Sequence, residues 1–196
     1  MPEDPDWAWI GKFYDGDQGA FNELFRKHQT RALNLAFRFT RDRQSAEDIV
    51  QEVFLRIYER KVSADPSAKF STWLYRVVVN ASLDLVRRKK TLFFRSFDEE
   101  RNSGESESGR TLAETVADPA ARRLGEGLAE REVEEALRRE IDRLPDKYRA
   151  PILLYQFEEM PYRDIARILG ISEKAVERRL SHAKERLKKR LQAKGF

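Results

Sequence analysis

Basic residues crowd the stretch from Ser172 to Lys194: Lys174, Arg178, Arg179, Lys184, Arg186, Lys188, Lys189, Arg190 and Lys194 face only Glu173, Glu177 and Glu185. On a helix, Val176, Leu180, Ala183 and Leu187 share one side, leaving Lys174, Arg178, Ser181, His182 and Glu185 outward. Such side chains offer donors where the DNA major groove offers acceptors, and Lys188, Lys189 and Arg190 farther along suit phosphates. Upstream, eight helical residues from Tyr162 and a tight Gly170-Ile171 turn complete a helix-turn-helix pattern. A helical hairpin with a solvated basic face would share some of this. The turn, the apolar spacing and the concentrated charge together favour duplex DNA.

A second basic cluster, Arg87-Arg88-Lys89-Lys90, closes an apolar segment that has Trp73 and Tyr75 near its start. Aromatic and basic side chains together can hold unstacked bases and a single-strand backbone. Trp73 also falls on the apolar stripe, so a core role fits it better. The outward carboxylates Asp48, Glu52 and Glu59 could suggest acid-base or metal chemistry, but no His or Cys converges on them, which favours a solvated or partner-binding face. His28 falls on the inner stripe of its helix as a packed residue, and His182 on the reading face. The sequence has no nucleophile elbow, phosphate loop or metal-ligand spacing, so no catalytic residue, metal or cofactor is expected and the protein does not read as an enzyme.

These groups must be positioned by helices. From Asp17 to Phe39, Phe21, Leu24, Phe25, Ala32, Leu35, Ala36 and Phe39 recur at three- and four-residue spacing. A second helix, with Ser45 as its cap, turns Ile49, Val50, Val53, Phe54 and Ile57 inward and leaves Asp48, Gln51, Glu52 and Glu59 outside. A turn at Ala64 to Ser67 leads to a third, with Phe70, Trp73, Leu74, Val77, Val78, Ala81 and Leu85 inward and Arg76, Asn80 and Arg87 opposite. Between about Thr91 and Gly127 the periodicity fades into Ser, Gly, Glu and Arg, the composition of a flexible linker. Beyond it, Val133, Leu137, Ile141 and Leu144 mark a helix stopped by Pro145, and Pro151 implies a short or kinked one next. Ile165, Ala166 and Leu169 mark another, begun at Pro161 and ended at Gly170, and Ser172 caps the last. No segment alternates with period two for long enough to be a strand. The fold class is therefore all-α, two small helical domains at 1–92 and 128–196 joined by a linker at 93–127.

Composition agrees. The 196 residues are 40% hydrophobic and 37% charged, with no cysteine and a net charge of +4. An average domain carries about 25% charge, so small helical domains with wet surfaces fit. The excess of +4 alone argues little; its concentration at two sites around an acidic middle argues more. The acidic N-terminus lacks the form of a secretory signal, and no apolar run approaches a membrane span, so a cytoplasmic protein is expected.

The quoted elements resemble a known family. GDQGAFNELFRKHQ, from Gly16, and AEDIVQEVFLRIYE, from Ala46, resemble the start of region 2 of the extracytoplasmic-function (ECF) group of sigma-70 factors. FSTWLYRVVVNASLDLVRRKK, from Phe70, resembles the promoter-melting part, and the stretch from Ile141 to Leu191 resembles region 4. The resemblance implies a sigma factor that directs core RNA polymerase, through its largest and second-largest subunits, to promoter DNA under an anti-sigma factor's control. It implies that Asp48, Gln51 and Glu52 contact the clamp helices of the largest subunit. It places Val62 to Lys69, including Ser63 and Lys69, as the loop that captures a flipped −10 base, beside Arg76, Asn80, Arg87, Arg88, Lys89 and Lys90. For the −35 element it implies Lys174, Glu177, Arg178, Ser181, His182, Lys184, Lys188 and Lys189. The family often has Lys or Arg and then Ser where this chain has Glu177 and Arg178, so the −35 sequence is not inherited. Two other readings of the residues remain: a dimeric helix-turn-helix regulator on a palindromic operator without polymerase, and a hydrolase using the first domain's carboxylates.

Overall fold

The computed structural model describes residues 4–61, 68–103 and 128–196, with backbone alone for 93–103 and 128–131. Among them are eight helices and no strand: α1 (Pro5–Tyr14), α2 (Gln18–Thr40), α3 (Arg43–Tyr58), α4 (Phe70–Ser103), α5 (Leu128–Asp142), α6 (Asp146–Gln156), α7 (Tyr162–Leu169) and α8 (Glu173–Gln192). Helices α1 to α4 form one bundle and α5 to α8 a second, and α7 packs on α4 where the two meet.

Local chemistry sets the helix starts. The Asp17 carboxylate accepts from the Gly19 and Ala20 amides at 2.9 and 3.3 Å, which caps the start of α2. Helix α2 then buries Ala20, Leu24, His28, Ala32, Leu35, Ala36 and Phe39, and α3 buries Ile49, Val50, Val53, Phe54 and Ile57 against it. Ser45 is not the cap of α3: Asp42 precedes the helix, and Ser45, inside the first turn, donates its hydroxyl to the Asp42 carboxylate. In the second bundle Gly170 adopts the left-handed conformation (φ 63°) that ends α7, and Ser172 caps α8 by accepting from the Ala175 amide.

Other sequence expectations shift. Helix α1 had no counterpart among them. Helix α4 continues to Ser103, through residues expected to open the linker, because no Gly or Pro interrupts the chain between Phe70 and Gly104. Tyr75 is buried. Its hydroxyl is pushed up to about 12 by that burial, at the seam between the bundles. Val133, expected on the buried stripe of α5, is 42% exposed. In α7 it is Ile168, not Leu169, that joins Ile165 and Ala166 in the core. Pro151 sits inside α6, a short helix of 11 residues.

His28 is buried as expected, and its partner is Asp6 of α1: His28 Nε2 donates to Asp6 Oδ2 at 2.8 Å, while Lys27 Nζ donates to Oδ1 at 2.6 Å. Burial holds the imidazole below its ordinary pKa of 6.5, outweighing the attraction of Asp6 and Asp4 and adding to the repulsion of Lys27. The folded state therefore prefers neutral His28, whereas the unfolded chain takes up a proton near 6.5. Stability contributed by this site is present above that value and declines as pH falls through it. Unfolding midpoints of wild type should thus drop between pH 7.5 and 5.5 by more than those of His28→Gln; equal pH slopes would refute the role.

The seam between the bundles is polar. Glu158 is buried beside Arg31 (3.2 Å) and Arg38 (3.8 Å), and the Arg38 guanidinium lies 4.3 Å from the Phe157 ring centre. Buried Arg149 donates to the Arg38 and Phe39 carbonyls at 2.9 and 3.0 Å and pairs with Asp142, which Arg41 also meets. Burial raises the Glu158 pKa despite both arginines. Desolvation thus offsets much of the pairing.

Candidate nucleic-acid interface

Helix α8 presents its basic side to solvent. Val176, Leu180, Ala183 and Leu187 are buried against the second bundle, and Lys174, Glu177, Arg178, Ser181, His182, Lys184, Lys188 and Lys189 are all exposed, so the predicted −35 residues form one continuous face. Two flanks of this face are steadied by α6. The Lys184 ammonium lies 4.8 Å from the Tyr155 ring centre, and Arg186 lies 5.1 Å from that of Tyr148, whose ring also neighbours His182 at 6.1 Å. Lys189 is paired with Glu185 one turn earlier, at 2.8 Å. The pair lowers the Glu185 pKa.

On the first bundle, Lys69, Asn80, Arg87, Arg88, Lys89 and Lys90 are exposed and Arg76 is half-buried. Three of these cations already have carboxylate partners: Arg87 with Asp84 (3.3 Å), Lys89 with Asp42 (3.0 Å), and Lys90 with Asp146 of the second bundle (3.3 Å). Exposed pairs of this kind are worth about 0–1 kcal/mol, so phosphates can displace the carboxylates at small cost. Trp73 is core, packed on Trp7 and Phe70. Ser63, with Val62 to Ser67, lies outside the described residues.

A third surface was only half foreseen. Asp48, Gln51 and Glu52 line one edge of an open groove of about 500 Å³ whose floor is Phe21, Phe25, Phe54, Leu55 and Tyr58. Leu55 and Tyr58 are 50% and 48% exposed, unusual for large apolar side chains. The signal was present in the sequence: positions 48, 51, 52, 55 and 58 follow helical spacing as a second stripe beside the buried one. Among the described residues no group of three or more His, Cys, Asp and Glu could hold a metal ion, and no helix is long and apolar enough to cross a membrane.

Family models for sigma-70 region 2 and sigma-70 region 4 match residues 24–91 and 134–187. The chain is 32% identical over 176 residues to the ECF RNA polymerase sigma factor SigW of Bacillus subtilis, covering 90% of this chain and 91% of SigW. The chain belongs to the ECF sigma factors of the sigma-70 family. This sigma factor accordingly directs transcription initiation at promoters, and the dimeric-operator reading is not favoured. Two solved structures share its fold. One is CnrH, in complex with the cytosolic domain of CnrY (TM-score 0.65, 24% identity, 97% of this chain and 99% of CnrH). The other is the sigma factor RpoE, in complex with the anti-sigma factor NepR, from Bartonella quintana (TM-score 0.58, 18% identity, 88% of this chain and 96% of that one). The region 2 match begins within α2, so α1 of this sigma factor lies outside it.

Proposed function

We propose that this sigma factor works by binding alone, without catalysis, and divides the labour among three surfaces. The groove beside Asp48, Gln51 and Glu52 docks core RNA polymerase; Lys69, Arg76, Asn80 and the Arg87 to Lys90 cluster engage the opened −10 strands; the exposed face of α8 reads the −35 element. The observation that carries this reading is the groove: half-exposed Leu55 and Tyr58, rimmed by acceptors, suit an apolar, basic-flanked helix of a partner. Duplex recognition at one end and strand capture at the other exchange base stacking for protein contacts, at a few kcal/mol per flipped base. The site of action is the cytoplasm, where polymerase and promoter DNA meet, and an anti-sigma factor, as bound by RpoE from Bartonella quintana, is the expected antagonist.

Run-off transcription with purified core polymerase on genomic fragments tests the whole: specific starts should require this protein, and operator binding undiminished without core would count for the dimeric regulator instead. The groove has its own test. Replacing Asp48, Gln51 and Glu52 together by Ala should leave the melting temperature nearly unchanged, since exposed side chains contribute within about 0.5 kcal/mol each. It should weaken core binding about tenfold in a fluorescence competition assay, roughly 1.4 kcal/mol. Unaltered core affinity would remove the groove from the proposal.

A further inference from the structure

Helix α1 touches both chain ends that flank the connection between α3 and α4. At the α4 end, Asp4 Oδ2 accepts from the Phe70 amide at 2.7 Å, and Trp7 Nε1 donates to the Ala68 carbonyl at 2.7 Å. The same Asp4 carboxylate caps α1 itself, accepting from the Asp6 amide at 3.2 Å through Oδ1. One carboxylate thus satisfies donors at two helix N-termini, each the positive end of a macrodipole. The Trp7 ring meets Phe70 edge-on at 5.2 Å. At the α3 end, the Arg60 guanidinium donates to the Tyr14 carbonyl and lies 4.9 Å from the Tyr14 ring centre, while the Tyr14 hydroxyl donates to the Ile57 carbonyl at 3.3 Å. Arg60 has a left-handed backbone (φ 57°), a conformation that costs a non-glycine residue energy and persists where contacts hold it.

We infer that α1 is a brace about 15 Å long that fixes the start of α4 against the end of α3, making Asp4, Trp7 and Arg60 positioning residues for strand capture by Lys69, Arg76 and Asn80. The inference rests on the −10 assignment proposed above and adds to it the element that sets its geometry. Three observations support positioning beyond general stabilisation. The ties reach the last turn of α3 and the first turn of α4. Helix α4 already has its own buried anchors in Leu74, Val78 and Val79. The braced end also adjoins Lys69, which is exposed beside the contacts, and lies just under two turns before Arg76. The brace is itself pinned to α2 through Asp6, Lys27 and His28, so a displacement of α1 would carry the start of α4 with it.

The experiment uses the full chain, free and as holoenzyme with core polymerase. Trp7→Phe keeps a ring and removes the indole donor; Asp4→Ala removes the shared cap and Asp4→Asn retains an acceptor; Arg60→Ala removes the exposed tie. Three readouts are compared: hydrogen exchange of peptides spanning residues 68–72, anisotropy of a labelled non-template −10 strand from a promoter mapped by run-off transcription, and anisotropy of the matching −35 duplex. Trp7→Phe combined with Arg60→Ala should speed exchange and weaken −10 strand capture five- to tenfold while −35 binding stays within twofold. Asp4→Ala should act likewise, and Asp4→Asn, with one acceptor oxygen for two amide donors, should recover only part of the loss. Unchanged exchange, faster exchange with undiminished strand capture, or equal loss on both DNAs would each overturn the brace. A wild-type holoenzyme that does not prefer its −10 strand over a scrambled one would instead overturn the −10 assignment on which the brace rests.

Discussion

Phe70→Ala should destabilise the first bundle by about 3–5 kcal/mol, the cost typical of truncating a fully buried phenylalanine. Its ring is completely enclosed and sits among Trp7, Trp73 and His28, at 5.2, 5.5 and 5.1 Å between ring centres. These neighbours belong to three different helices, so the void left by Ala cannot be closed by one side chain changing rotamer. Phe70→Leu, which preserves most of the volume, should cost much less, under about 1.5–2 kcal/mol. The measurement is unusually clean because all three tryptophans, Trp7, Trp9 and Trp73, lie in the first bundle. Denaturation followed by tryptophan fluorescence therefore reports that bundle, while far-ultraviolet circular dichroism follows both. A loss below about 1 kcal/mol would mean that the aromatic cluster repacks and that the edge-on and tilted ring contacts contribute little.

That cluster also marks where sequence periodicity stopped being informative. The long stripes of α2, α3 and α8 were legible because apolar residues at helical spacing have essentially one use, burial of one helix face. The ends of α7 and α8 were legible because Gly170 and Ser172 are the residue types their backbone positions demand. Helix α1 was not, since ten residues that begin within an acidic, proline-containing terminus carry too short a pattern. The signal it does have is local: Asp4 and Pro5 are a cap and first-turn pair.

Charged residues at the seam were illegible for a different reason. Nothing in their spacing distinguishes Glu158 or Arg149 from surface residues, because their burial is created by the approach of two bundles distant in sequence. Tyr75, near the start of a helix with a basic face, is buried close to Glu158 of the second bundle. The candidate interfaces divide along the same line. The face of α8 was readable in full since it is the complement of a clear buried stripe. The groove was read only at its polar rim: Leu55 and Tyr58 share the helical spacing of Asp48, Gln51 and Glu52, but Phe21 and Phe25 obey the same periodicity as the core residues beside them.

The face of α8 should separate two kinds of contact. Arg178 lies in the first half of the helix and Lys188 about 15 Å farther along its axis, both exposed. A recognition helix sets its early residues against base edges, and its far end leaves the groove and meets the backbone. Arg178→Ala should therefore weaken binding to the −35 duplex by about 1–3 kcal/mol and relax preference at one or two base pairs. Lys188→Ala should weaken cognate and scrambled duplexes alike and flatten the log-log salt dependence by about 0.9 for one lost phosphate contact. Lys188 is a simpler probe than Lys189, because removing Lys189 also frees the Glu185 carboxylate that it now pairs, adding repulsion toward phosphate to the lost attraction. Isotherms for the full chain as holoenzyme, on both duplexes at several salt concentrations, measure these quantities directly. If Arg178→Ala produced only a uniform, salt-dependent loss while Lys188→Ala altered base preference, the helix would enter the groove in the opposite direction, with Lys188 and its neighbours against the bases.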